Sequence, residues 1–272
     1  MTLLMVWREA DRVWMVSDSR LSSKGQTGRV RLTDHAAKIV EAPLVLTSSP
    51  PREPVVRTST LGFGYTGSTL VALQSYSAVL PLWSRLSSSG EPDLPTIGDC
   101  AEHLAKFALE YARDIAAAGG GADCQCILLG YEERSAELAA WLVDIAAGAA
   151  GVAGVVRRLD LAPDRIELFG SGRTEAERLL AEVRRPDAGW GRWPLFMIRR
   201  HTRWDDREDV GGGVQIGMAT SAGFELCFDA QSFAAGLSAA GDPLVAMKYR
   251  GFEFSDVGRV GDAFVTLRGI DH

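Results

Sequence analysis

Threonine at position 2 is the residue whose type and place could do chemistry with the least help. A small second residue such as threonine permits removal of Met1, which leaves Thr2 as the N-terminus. That residue then carries a hydroxyl nucleophile and an α-amine together. An α-amine titrates at about 7.7–8.0, so near neutrality it can take the proton of its own hydroxyl, directly or through a water. Other chemistries find less in the sequence. The histidines His35, His103, His201 and His272 form no H-E-x-x-H and no His/Cys cluster, so no metal is expected. Cys124-Gln125-Cys126 is too tight for a C-x-x-C pair, and with Cys100 and Cys227 it reads as reduced core thiols of a cytoplasmic protein. There is no G-x-S-x-G elbow and no Walker loop. No cofactor is expected.

The elements that must hold Thr2 come from a chain of 272 residues with 46% hydrophobic and 24% charged residues, the balance of a globular protein. A net charge of −6 argues against nucleic acid or an anionic membrane as the main partner. No apolar run approaches the roughly 18 residues of a membrane span, and Leu3–Trp7 is too short for a signal-peptide core. Of 29 basic residues only Lys24, Lys38, Lys106 and Lys248 are lysines.

Leu3–Trp7 and Val13–Val16 flank a charged turn and predict a hairpin. Both arms are continuously apolar, which predicts cover on both faces. Strands or loops follow through Lys38–Leu46, then a loop with three prolines over Thr47–Ser59, a short strand Leu61–Tyr65, and a helix from Ser68 to about Leu86. Ser87–Pro95 reads as a polar linker, and Thr96 caps a second helix that stops at Gly119-Gly120-Gly121. Strands are expected at Cys124–Tyr131, Ala139–Asp144 and Ile166–Phe169, with a flexible loop over Ala146–Gly154. Helices at Thr174–Val183 and Pro194–Asp206 precede strands at Val214–Ala219 and Phe224–Phe228, and the tail holds turns and strands. Strand clusters alternating with helix pairs predict an α+β fold of two stacked antiparallel sheets with helices outside each.

Val16-Ser17-Asp18-Ser19-Arg20, Ala37-Lys38-Ile39-Val40, Gly62-Phe63-Gly64-Tyr65-Thr66-Gly67-Ser68 and Phe169-Gly170-Ser171-Gly172 occur in that order behind Thr2. In these motifs the chain resembles the proteasome β-subunit and HslV-like family of N-terminal-nucleophile hydrolases, in wording closest to divergent bacterial proteasome homologues. The resemblance implies a four-layer αββα sandwich and a threonine-type peptidase or amidohydrolase. It implies Asp18, Lys38 and Ser171 as catalytic partners of Thr2 and the Gly64 N–H as an oxyanion donor. In physical terms a lysine near Thr2 would keep the amine neutral and lower the hydroxyl pKa. An aspartate would hold that lysine by a charge-assisted bond, and a backbone donor would meet the developing oxyanion.

The sequence departs from the family's D-x-x-S-G-G pattern. Arg207-Glu208-Asp209-Val210-Gly211-Gly212-Gly213 lacks the serine, and Asp209 takes the acidic role only in shifted register. The expected organisation is one domain with an insert at 47–59 and a C-terminal extension from about 229. The resemblance also implies a homo-oligomer, ring or spiral, acting on a peptide or amide; whether a partner ATPase serves it is left open. The alternative is a catalytically silent scaffold for assembly or binding, or an amidase acting on non-peptide amides.

Overall fold

The run Leu3–Trp7 becomes strand β1 (Leu4–Glu9), hairpinned to β2 (Arg12–Asp18) with Trp7 opposite Trp14. The computed structural model describes residues 2–24, 29–48, 56–88, 93–183, 190–202, 210–237, 243–250, 252–253, 259–260, 263–264 and 268–270. Successive strand side chains point to opposite faces. Leu4 and Val6 accordingly enter one apolar cluster, while Leu3, Met5 and Trp7 enter another. The unbroken apolar pattern is the mark of a hairpin covered on both sides.

A second hairpin, β3 (Leu21–Lys24) and β4 (Arg29–Thr33), falls in the stretch after Val16 that reads as strands or loops. Strands β5 (Ile39–Ser48) and β6 (Val56–Gly67) then pair as far as Thr47 opposite Val56. The loop expected over 47–59 is therefore shorter, and its remainder, 49–55, lies outside the described residues. Helix α1 (Thr69–Trp83) starts at Ser68, whose hydroxyl accepts the Val71 N–H. Strand β7 (Leu86–Ser88) opens the expected linker and pairs parallel to β5. Helix α2 (Ile97–Ala117) begins with a reciprocal cap, Thr96 with Asp99, and turns off at Gly119 with φ +77°.

Strands β8 (Cys124–Glu132), β9 (Glu137–Gly148) and β10 (Gly151–Arg158) form a meander. The stretch 146–154 is thus a hairpin and not the flexible loop its composition suggested. Alanine and glycine carry no period-two signal, and they serve packing here: a Cβ on Gly154 would lie 3.1 Å from Leu109 of α2. Strand β11 (Ile166–Phe169), helices α3 (Arg173–Val183) and α4 (Trp193–Thr202), and strands β12 (Val214–Thr220) and β13 (Gly223–Leu237) follow. The end expected for α4 falls within 203–209, outside the described residues. Strands β14 (Pro243–Tyr249), β15 (Phe252–Glu253), β16 (Arg259–Val260), β17 (Ala263–Phe264) and β18 (Arg268–Ile270) account for the described tail.

The result is a mixed α/β fold with four helices among the described residues. One sheet has the order β11-β1-β2-β12-β13-β14-β15, with β18 on β13; the other has β10-β9-β8-β6-β5-β7. Val71, Val79, Leu104 and Ala108 of α1 and α2 pack on Phe63, Cys126 and Val143 of the six-stranded sheet. Leu179, Leu180 and Ile198 of α3 and α4 pack with Trp7, Val16 and Ile216 of the other. A third cluster joins Val13 and Met15 of the eight-stranded sheet to Ile127, Leu129 and Leu142 of the six-stranded one. All four cysteines are buried and unbridged. Among the described residues no helix is long and apolar enough to cross a membrane.

Phe224 is the tightest joint in that third cluster. Its ring lies where a Cβ would point from both Gly62 and Gly217, at 2.3 and 2.2 Å. Phe224→Ala is expected to cost about 3–5 kcal/mol by leaving a cavity. Gly62→Ala is expected to cost about 1–3 kcal/mol by overpacking. Denaturant midpoints by circular dichroism check both.

Candidate functional site

Asp18 ends β2 and is wholly buried, so its carboxylate must be met by donors on every side. Oδ1 accepts the Leu3 N–H at 3.0 Å and the Lys38 ammonium at 2.8 Å. Oδ2 accepts the N–H groups of Arg20 and Gly211, both at 3.2 Å. Lys38 lies in the irregular stretch just before β5 and is also wholly buried. Burial pushes its pKa down, the Asp18 charge and hydrogen bond pull it back up, and the Arg20 charge lowers it further; the net direction is downward.

Thr2 precedes β1 and is 5% exposed. The turn Gly170–Gly172, after β11, wraps its peptide. Ser171 Oγ accepts the Thr2 N–H at 3.3 Å, and the Gly172 N–H donates to the Thr2 carbonyl at 3.2 Å. Gly170 has φ +86°, and a Cβ there would stand 2.1 Å from the Thr2 oxygen, so only glycine fits. The structure therefore brings Thr2, Asp18, Lys38 and Ser171 to one end of β1 and β2.

Gly64 sits inside β6, opposite Ile39 of β5 and Ile127 of β8, and its Cβ direction is filled by Met15 Sδ at 2.3 Å and Leu4 at 2.9 Å. It is glycine because the two sheets meet there. The end of β6 lies beside Thr2, since the Cβ position of Gly170 is 3.3 Å from Thr66 Cγ2. Gly67, with φ +84°, closes that strand one residue before the α1 cap. A glycine next to an N-cap was the sequence signal that pointed there. Asp209 lies outside the described residues.

A second charged pair stands behind the first. The Arg20 guanidinium, 2% exposed, grips Asp34 through Nε to Oδ1 at 2.7 Å and Nη2 to Oδ2 at 3.4 Å. Gly211 lies flat on it: a Cβ there would be 2.4 Å from Arg20 Cζ. Its carbonyl accepts the N–H groups of Ser19 and Arg20, and Ser19 Oγ accepts the Gly213 N–H at 2.6 Å. The glycine run is thus a strap that closes over Asp18 and needs no side chain to do so. Among the described residues no group of three or more His, Cys, Asp and Glu side chains gathers as a metal site.

No family model matches the chain, and no curated protein matches it. Solved structures do. The chain is similar to the Anbu complex of Pseudomonas aeruginosa, described as a helical assembly, at 15% identity and TM-score 0.52, with 79% of each chain covered. It is similar to Anbu, an ancestral beta-subunit, from Yersinia bercovieri at 12% identity and TM-score 0.53, covering 82% of this chain and 83% of that one. A Gly-1 mutant of Anbu from Hyphomicrobium sp. strain MC1 matches at 14% identity and TM-score 0.53, covering 83% and 85%. Likeness at this identity establishes the fold alone. The membership in the β-subunit and HslV-like family that the motifs implied is corrected accordingly: what is shown is the fold of the Anbu structures, at 12–15% identity.

Burial pushes the Asp34 pKa up, but the hydrogen bond and charge of Arg20, with Arg31 and His35 behind them, outweigh it and hold the carboxyl below its ordinary value. A carboxylate depressed in the fold stabilises it fully above the unfolded value, and that contribution is lost as pH falls through the folded value. Asp34→Asn strands the Arg20 charge and is expected to cost about 3 kcal/mol at neutral pH. The gap between variant and wild type should close as pH falls below 3.8, read from urea unfolding at pH 7 and pH 3.

Proposed function

We propose that this chain is a threonine hydrolase, a peptidase or amidase, whose nucleophile is Thr2 after removal of Met1. One observation carries the reading: a single buried carboxylate oxygen, Asp18 Oδ1, binds both the Lys38 ammonium and the peptide N–H that follows Thr2. A positive charge is thereby fixed beside the residue that would react.

In this reading the neutral α-amine of Thr2 takes the hydroxyl proton as Oγ1 attacks the substrate carbonyl. Lys38 disfavours protonation of that amine by like-charge repulsion and favours the developing alkoxide. Ser171, already bound to the Thr2 nitrogen, orients it. Backbone N–H groups where β6 ends at Gly67 and α1 begins suit the oxyanion better than Gly64 does, because a helix N-terminus presents unpaired donors and partial positive charge. Collapse of the tetrahedral intermediate breaks the C–N bond, and the amine leaves with the proton returned by the α-ammonium. Water, deprotonated by the same amine, then cleaves the acyl ester and regenerates the Thr2 hydroxyl. No cofactor enters any step.

The three apolar clusters support a four-layer αββα arrangement, and we read the chain as one domain with a C-terminal extension. The helical assembly of the Pseudomonas Anbu complex supports a homo-oligomer, and the cysteine usage a cytoplasmic setting. One observation favours the silent-scaffold reading, the near-complete burial of Thr2.

Intact mass and labelling with a threonine-directed covalent inhibitor, followed by peptide mapping, decide between the two. Loss of Met1, a label on Thr2 and amide hydrolysis are expected, with hydrolysis falling about 1,000-fold or more in Thr2→Ala. A fully processed protein that takes no label and hydrolyses nothing overturns the catalytic reading.

A further inference from the structure

Gln215 stands in β12 between Val214 and Ile216, a polar residue in an apolar strand, and is 3% exposed. A carboxamide has two N–H donors and an oxygen with two acceptor positions, and all four are used here. Oε1 accepts the backbone N–H groups of Lys38 at 2.9 Å and Ile39 at 3.2 Å. Nε2 donates to the carbonyls of Asp18 at 3.1 Å and Ala36 at 2.9 Å. The reversed amide would set its NH2 against two N–H donors, so the partners dictate its orientation.

Those partners belong to different sheets. Asp18 ends β2 in the eight-stranded sheet, whereas Lys38 and Ile39 lead into β5 of the six-stranded one. Residues 35–38 make no strand ladder. A buried backbone N–H without a ladder still requires an acceptor, and Gln215 supplies it. The same side chain thus ties down the backbones of both members of the buried ion pair, 2.8 Å apart at their charged ends.

We propose that Gln215 is a positioning residue: its carboxamide sets the separation of the two sheets at which the Lys38 ammonium meets Asp18 beside Thr2. The catalytic consequence rests on the threonine-hydrolase reading; the placement of Lys38 does not. The charged groups facing Lys38 are Asp18 and Arg20, and neither is altered in the test.

The test uses the full chain carrying Gln215→Met, which keeps the length and removes all four hydrogen bonds, and Gln215→Glu, which keeps the two acceptor contacts. Because the chain has four lysines, ¹³C-lysine labelling gives four side-chain signals, and the one missing in Lys38→Arg identifies Lys38. Gln215→Met is expected to move the Lys38 titration toward the ordinary lysine range as water reaches it. It should also lower kcat about 10- to 100-fold, displace the pH–rate profile with it, and leave KM within about twofold, with Gln215→Glu retaining more activity than Gln215→Met. An unchanged Lys38 titration and pH profile in a less stable variant overturns the proposal and leaves Gln215 a structural residue. If Gln215→Met does not fold, the Lys38 titration in Gln215→Asn, which adds no charge and draws the carboxamide back by one methylene, decides in the same way: displacement from wild type supports the proposal and coincidence overturns it. A wild-type chain without activity overturns the hydrolase reading, while the Lys38 signal still decides the role of Gln215.

Discussion

A carboxylate taken fully out of water must find a donor for each lone pair, and Asp18 draws its four from four separate places in the chain. Leu3 lies at the start of β1, Arg20 just beyond β2, Lys38 before β5 and Gly211 before β12. Each bond is modest alone, but loss of any one leaves charge uncompensated in a low-dielectric interior, where the penalty is large. The demand acts on register as well as on energy. A slip of one residue in β2 would turn Asp18 to the opposite face and orphan all four donors at once. The ends of two sheets are tied to a single side chain.

Around that carboxylate the charges alternate in sign: Lys38, Asp18, Arg20, Asp34. Arg20 is held by Asp34 and presses on Lys38 through its field, so the inner ammonium feels one attraction and one repulsion besides its desolvation. Arginine fits the outer position because its planar fork takes a carboxylate two-fold and a flat peptide can lie on it. Lysine fits the inner one as a compact charge whose proton affinity responds to its surroundings. Glycine lets the backbone close in: Gly170 against the Thr2 carbonyl and Gly211 against the Arg20 guanidinium both occupy space that a methyl group would need.

What could be read from the sequence was local. The β1–β2 hairpin, the Thr96 cap and the Gly119 stop depend on neighbours in the chain, and each appears within a residue or two of its expected place. Lys38 was legible through the motif that resembles the family's, a match sharpened by the scarcity of lysine here. The strand holding Gly64 was expected to end at Tyr65, whereas pairing with β8 carries it to Gly67 opposite Cys124. Arg20 with Asp34, and Gln215 with Lys38, are contacts across the fold between residues that look like ordinary turn and strand members. Nothing local distinguishes them. The family membership failed for a related reason: short motifs marked an architecture, and the solved structures that share it are only 12–15% identical to this chain.

The last strand of the six-stranded sheet has its own consequence. Among the described residues strand β10 is an edge: eight residues long, largely exposed, with Val155 facing outward and no strand paired along one side. Such an edge is a template for unwanted pairing between chains. Arg157 and Arg158 end it, the second paired with Glu137, and a parallel stack of two copies would bring four arginines together. Arginine, abundant throughout this chain, here does work unrelated to chemistry: its charge counts against parallel stacking of an open edge on its own copy.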